Sequence, residues 1–190
     1  MSRIFIDVGS HRGQTIHLLL QPQFKIDHIF GFDPSPLCQK ILNRKYKTNS
    51  KVTIVNNGLW SKTCCMDLHN EGSVGGTVHE DYQTTCNPEL QVTSCKFIKA
   101  SDWFRDNVSQ DDEVFLKLNC EGSECEVIGD LLDTGEYKKV KAAFVDFDVR
   151  KSPSQKHKER ELLQRMKTMK LDNLHLYMGQ NRYNVLGAHM

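Results

Sequence analysis

Asp7, Gly9, Ser10, His11 and Gly13 directly follow an almost wholly apolar run, Ile4-Phe5-Ile6, and lead into a segment of helical spacing. This is the sequence form of a buried parallel strand handing over to a helix N-terminus, the junction at which α/β proteins hold small ligands. A second run, Ile29-Phe30-Gly31-Phe32, ends in Asp33. In nucleotide-type sites the acid closing the second strand receives a ribose diol, about 20 residues beyond the glycine turn.

The glycine turn does not have the dinucleotide spacing Gly-x-Gly-x-x-Gly. Counting from Gly9, the second glycine position holds His11 and the third holds Gln14. The second glycine is the one that lets a pyrophosphate approach the backbone, so a bulky His there argues against NAD or FAD. No Gly-Lys-Ser/Thr follows a strand either, which excludes a Walker-type loop. The spacing Asp7-x-Gly9-x-x-x-Gly13 does admit a nucleoside with a small amino-acid tail and no phosphates. S-adenosylmethionine is such a ligand: its carboxylate suits a helix N-terminus and its ribose diol suits Asp33. As pure structure, an acid and two glycines after a strand would form only a packing turn.

The elements that must carry these residues alternate. A helix is predicted from about Arg12 to Leu20, a strand over His28 to Phe32, and a second helix after Pro34-Ser35-Pro36. A third β-rich run covers Lys51 to Asn56. That β-α-β-α-β order is the plan of a doubly wound parallel sheet. From Gly58 to Ile98 the alternation lapses into an irregular insert, with short strands at Met66 to His69 and Cys95 to Ile98 and an exposed loop at Cys86 to Glu89. An insert of this kind is expected to border the ligand site. Beyond it come a helix at Ser101 to Phe104 capped by Asp102, a strand at Glu113 to Asn119, and a helix through Val127 to Leu132. A strand at Val140 to Phe147 follows, then an amphipathic helix at Ser154 to Lys170 burying Leu162, Leu163, Met166 and Met169. Asn173 to Tyr177 and Tyr183 to Leu186, flanking Gly179-Gln180-Asn181, read as an antiparallel hairpin closing the sheet.

Composition narrows the function classes. The chain has 190 residues, 38% of them hydrophobic, enough for one domain with a well-buried core. With 25 Lys+Arg against 24 Asp+Glu, no global field points to nucleic acid or anionic membrane. No signal-peptide pattern or long apolar run is present, so a soluble, cytoplasmic protein with no membrane partner is expected. Seven cysteines, two of them adjacent, make a poor disulfide framework and read as reduced thiols; no metal-ligand spacing is present.

Three blocks, Phe5 to Thr15, Phe30 to Pro36 and Phe115 to Glu124, resemble in order the most distinctive motifs of the FkbM-type S-adenosylmethionine-dependent methyltransferases. The resemblance runs from about Ile4 to Leu186. It implies a class I methyltransferase (Rossmann-like) fold of seven strands, the last antiparallel, and methyl transfer to a hydroxyl of a sugar or similar small molecule. Where the family usually has Asp in its third block this chain has Asn119, so any role of that carboxylate is lost or moved. Family members often carry a segment before the first strand that helps to cover the substrate. This chain opens on that strand, so the site is expected to be open, or completed by the insert or by another subunit.

Methyl transfer from a sulfonium to oxygen is an in-line displacement. It needs alignment of donor and acceptor, and a base for the hydroxyl proton. Glu121, just beyond the fourth core strand, is the first candidate base, and His11 is the second. Structurally, Glu121 would cap the helix beginning near Ser123, and His11 would be exposed or structural. Asp7, Gly9, Ser10, Gly13, Asp33 and Asn119 are the expected cofactor contacts, with Asn57 and Gly58 near the adenine. Trp60 could stack on the base or belong to the core. Asp146 and Asp148 alternate along a strand, so at most one should face a given pocket. Two further readings stand beside O-methylation of a glycan or small metabolite: methylation of RNA or protein, and a non-catalytic member that binds the cofactor or a partner protein.

Overall fold

Period-two alternation along the first strand divides it between two cores. Ile4, Ile6 and Val8 face one hydrophobic cluster and Phe5 faces the other, as expected of a strand buried on both sides. The computed structural model describes residues 1–73, 75–83, 92–177 and 182–190. Its strands are β1 (Arg3–Val8), β2 (His28–Phe32), β3 (Val52–Val55), β4 (Gly58–Trp60), β5 (Cys64–Leu68), β6 (Thr93–Lys99), β7 (Glu113–Leu118), β8 (Val140–Val145) and β9 (Leu174–Leu176). Its helices are α1 (Gln14–Leu19), α2 (Pro36–Tyr46), α3 (Ala100–Asn107), α4 (Glu124–Thr134), α5 (His157–Thr168) and α6 (Arg182–His189).

The main sheet has the order β3-β2-β1-β7-β8-β9, and every neighbouring pair in it is parallel. The fold is therefore the doubly wound, Rossmann-like α/β architecture expected from the alternation. Local chemistry sets the helix starts. At α2 the Ser35 hydroxyl accepts the Cys38 N–H at 3.2 Å and Pro36 fills the first helical position. Gly135, at φ +78°, ends α4.

The chain's last part departs from the expected hairpin. β9 pairs parallel with β8, Ala143 opposite Leu174, and Arg182–His189 is helical. No antiparallel strand or seventh strand belongs to the main sheet among the described residues; the turn expected at Gly179-Gln180-Asn181 lies outside them. Burial explains the helix. Leu186 is fully enclosed in the cluster of Phe5, Phe115, Phe144 and Tyr177, and this docking overrides the β-leaning composition of Tyr183 to Leu186.

The insert is also more regular than its sequence suggested. β4, β6 and β5 form a second sheet, β4 parallel and β5 antiparallel to β6. Trp60, Leu68, Cys95 and Phe97 make its own small core. The loop expected at Cys86 to Glu89 lies outside the described residues. Two helix details differ as well. Met169 falls at the end of α5 and is 47% exposed, so only Leu162 and Met166 are fully buried there, with Leu163 packed alongside. Asp102 lies within the first turn of α3 and pairs with Arg105 at 3.1 Å instead of capping the helix. No helix among the described residues is long and apolar enough to cross a membrane. Six cysteines are free thiols, and Cys86 lies outside the described residues.

Candidate functional site

The strand order reverses between β1 and β7, and crevices beyond the carboxyl ends of such strands are where open α/β sheets bind ligands. Here the crevice is a cavity of about 630 Å³. Pockets of roughly 300–1,000 Å³ take drug-sized or cofactor-sized molecules.

Its floor is the glycine turn. Gly9, at φ +78°, brings the chain so close to β7's end that a Cβ would sit 1.9 Å from the Asn119 carbonyl oxygen. The N–H groups of Gly9 and Ser10 donate to the Phe32 carbonyl at 3.0 and 2.9 Å, and Ser10 Oγ donates to the Asp7 carbonyl at 2.8 Å. His11 holds a left-handed φ of 49°, and its N–H donates to Asp33 Oδ2 at 2.7 Å. Ser35 N–H donates to Asp33 Oδ1 at 3.0 Å. Asp33 thus ties the turn to the end of β2, and each of its oxygens retains capacity for a further hydrogen bond. Burial pushes this carboxyl up to about 6, against the pull of the two N–H donors and of the Lys117 charge. His11 is held below the usual imidazole range by burial and by Arg12, so it is neutral at pH 7.

Under the turn lies a buried ion pair. Asp7 and Lys117 are register partners on β1 and β7, and Lys117 Nζ stands 2.8 Å from Asp7 Oδ1. The same ammonium donates to the carbonyls of Gly9 at 2.9 Å and Val8 at 3.2 Å.

The second sheet supplies an apolar wall through Gly58, Leu59, Leu68 and Phe97. Gly58 is required there, since a Cβ would meet the Phe97 ring at 2.3 Å. Glu71, in the loop after β5, fastens this wall to α2: its Oε1 accepts the Ser35 hydroxyl and the Leu37 N–H, the latter at 3.1 Å.

The far rim carries the acids. Glu121 occupies a left-handed turn at φ 52°. Its Oε2 accepts the Tyr82 hydroxyl and faces Lys151 Nζ at 3.5 Å. Burial and the neighbouring Asp148 push Glu121 up to about 7, while Tyr82 and Lys151 oppose the shift. Asp146 Oδ1 accepts from Arg150 at 2.9 Å, and Asn119 Nδ2 lies 3.4 Å from its Oδ2.

Of the residues expected from sequence, Gly9, Ser10, His11, Asp33, Gly58, Asn119 and Glu121 line this one cavity, and Asp7, Gly13 and Asn57 do not. Asp7 is below the turn with Lys117. Gly13 is the left-handed cap of α1, its carbonyl accepting the Tyr46 hydroxyl at 2.8 Å. Asn57 precedes β4 and its N–H donates to Val55 at 2.8 Å. Trp60 belongs to the small core and is absent from the cavity lining. Asp146 and Asp148 both line the cavity, against the expectation that at most one would: residues two apart in an extended chain share a face, and the 3-10 turn that starts at Asp148 keeps both at the carboxyl end of β8. Glu121 does not cap the helix after it. Glu124 organises that turn, accepting the N–H groups of Cys120 at 3.0 Å and Gly122 at 3.1 Å.

Sequence reasoning passed over Lys117, Tyr82 and Lys151. A lysine inside Phe115-Leu116-Lys117-Leu118, a strand buried on both faces, was a readable signal, because such a charge must find a partner. Tyr82 and Lys151 left none, since only the folded chain brings them to Glu121. No group of three or more His, Cys, Asp or Glu is arranged for a metal ion among the described residues.

No family model and no curated protein sequence matches this chain. Among solved structures it is similar to the crystal structure of the methyltransferase FkbM from Methylobacillus flagellatus KT. The two share 16% sequence identity with a TM-score of 0.49, over 86% of this chain. The match spans 37% of that protein's length.

Proposed function

We propose that the chain is an S-adenosylmethionine-dependent methyltransferase acting on a hydroxyl of a glycan or small metabolite. The observation that carries this reading is the bond from His11 N–H to Asp33 Oδ2, which brings a glycine turn and a second-strand acid together in one cavity at the switch point. The residues present fit the cofactor. Gly9 and Ser10 offer close backbone approach beside β1, and Asp33 keeps acceptor capacity for a ribose diol. Gly58, Leu59 and Phe97 form an apolar wall suited to an adenine. When bound, the cofactor would supply an electrophilic methyl on a sulfonium.

The chain's own residues account for the rest of the chemistry. The acceptor hydroxyl is to be held near the Glu121 rim, where a carboxylate titrating near neutrality can take its proton. Oε2 is occupied by Tyr82 and Lys151, which leaves Oε1 as the accepting atom. Asn119, in place of an acid, contributes an amide and no proton acceptor of comparable basicity. Incubation with a methyl-labelled donor and a panel of glycans and hydroxylated metabolites tests the reading; label on an acceptor oxygen supports it, and no transfer to any acceptor by a protein that binds the donor argues for a non-catalytic role.

A further inference from the structure

We propose that Lys117 is a positioning residue of this pocket, clamping the glycine turn onto β1 and placing a buried positive charge beneath the turn that holds Asp33. The inference rests on the cavity being a cofactor site. The Lys117 ammonium donates to acceptors at Gly9 O, 2.9 Å, and Val8 O, 3.2 Å, and forms an ion pair with Asp7 Oδ1 at 2.8 Å. Lys117 is 1% exposed and its ammonium is engaged by the turn and by Asp7, so the part assigned to it is indirect. Two of the acceptors are the backbone of the turn itself. Losing the ammonium frees the segment whose N–H groups bind Phe32 and Asp33.

The electrostatic part follows from what surrounds Asp33. Lys117 and Asp7 act on it from β7 and β1. The turn contributes His11, neutral at pH 7, and Arg12, which is exposed and screened. Cys38 on α2 and Cys95 on β6 are kept as thiols by burial, at about 12 and about 11. Glu71 adds negative charge from the loop after β5 and is engaged at the start of α2. Among these groups Lys117 is the buried cation, and its attraction outweighs the repulsion from its own partner Asp7.

The test is the titration of Asp33 itself, followed through its carboxyl carbon by NMR in the ligand-free protein. It is run beside calorimetry with S-adenosylhomocysteine from pH 5 to 9. Lys117→Gln keeps hydrogen-bonding capacity and removes the charge; Lys117→Arg keeps the charge. Lys117→Gln is expected to raise the Asp33 midpoint by about a unit, and so to weaken binding about twofold at pH 7 and nearly tenfold at pH 5, with recovery at pH 9. Lys117→Arg should leave the midpoint in place. A purely structural lysine would instead lower affinity equally at every pH with the midpoint unmoved or lower, and that result overturns the proposal. Should Lys117→Gln not fold, the double variant Asp7→Asn/Lys117→Gln, which removes both charges of the pair, decides: a raised midpoint supports the proposal, and an unchanged or lowered one overturns it. If the wild-type protein does not bind S-adenosylhomocysteine, the cofactor reading fails while the ligand-free titration still decides the role of Lys117.

Discussion

The N–H of His11 donates to Asp33 Oδ2 at 2.7 Å across 22 residues of chain, so the loop after the first strand and the acid after the second form one unit. Any ligand that needs both finds them pre-set, with no ordering cost at binding. The carboxyl titrates at about 6 because it is buried. Binding of S-adenosylhomocysteine is therefore expected to be independent of pH between 7 and 8.5 and to weaken below about 6, as protonation removes the acceptor. Calorimetry across that range checks this; affinity that is flat down to pH 5 would contradict it.

Gly9→Ala should disrupt the turn. It places a side chain at φ +78° and 1.9 Å from the Asn119 carbonyl, combining left-handed strain with a backbone clash. A loss of at least about 2 kcal/mol in denaturant unfolding is expected.

Much of this was legible before folding. The apolar run ending in Asp7-x-Gly9, the strand ending in Asp33 and the helix starting at Pro36 were each set by local chemistry, and the structure keeps them within a residue or two. What escaped depended on partners distant in sequence. The helix Arg182–His189 exists because Leu186 has a pocket among Phe5, Phe115 and Tyr177, which no local pattern announces. β4 is three residues long, too short to show a period, and becomes a strand only against β6. In the candidate site the turn residues and Glu121 were visible by type and position. Asp7 was visible by type and position, but its ion pair with Lys117 was not, because that partner lies on a strand far along the chain.

The Asp7–Lys117 pair should be costly to break from one side. Lys117→Ala leaves a fully buried carboxylate without its counter-ion, and a loss of about 3–5 kcal/mol is expected in chemical unfolding.

Glu124 makes stability pH-dependent. Its folded-state value, raised by burial to about 7, exceeds the ordinary carboxyl value. The folded state thus binds its proton more tightly, and this stabilisation is complete below about pH 4 and lost as pH rises through 7. Glu124→Gln, which keeps an oxygen for the Cys120 and Gly122 N–H groups, removes that dependence. Relative to wild type it should gain on the order of 2 kcal/mol between pH 4 and pH 8 in urea unfolding. An identical difference at both pH values would count against this assignment.

Tyr82→Phe should alter the base without touching the cofactor. The Tyr82 hydroxyl bonded to Glu121 Oε2 opposes the upward shift of that carboxyl. Its removal is expected to move the acid limb of the methyl-transfer pH profile upward while S-adenosylhomocysteine affinity stays within about twofold. A profile that does not move would take Glu121 out of the role of base.

The most direct measurement is calorimetric binding of S-adenosylmethionine and S-adenosylhomocysteine at pH 7.5 to the wild-type protein and to Asp33→Ala. Circular dichroism would establish that both are folded. Saturable binding by the wild type and a loss of at least about tenfold in Asp33→Ala are predicted, since the variant lacks the buried acceptor that the ribose diol requires. Wild-type affinity in Asp33→Ala would contradict the assignment of this cavity as the cofactor site.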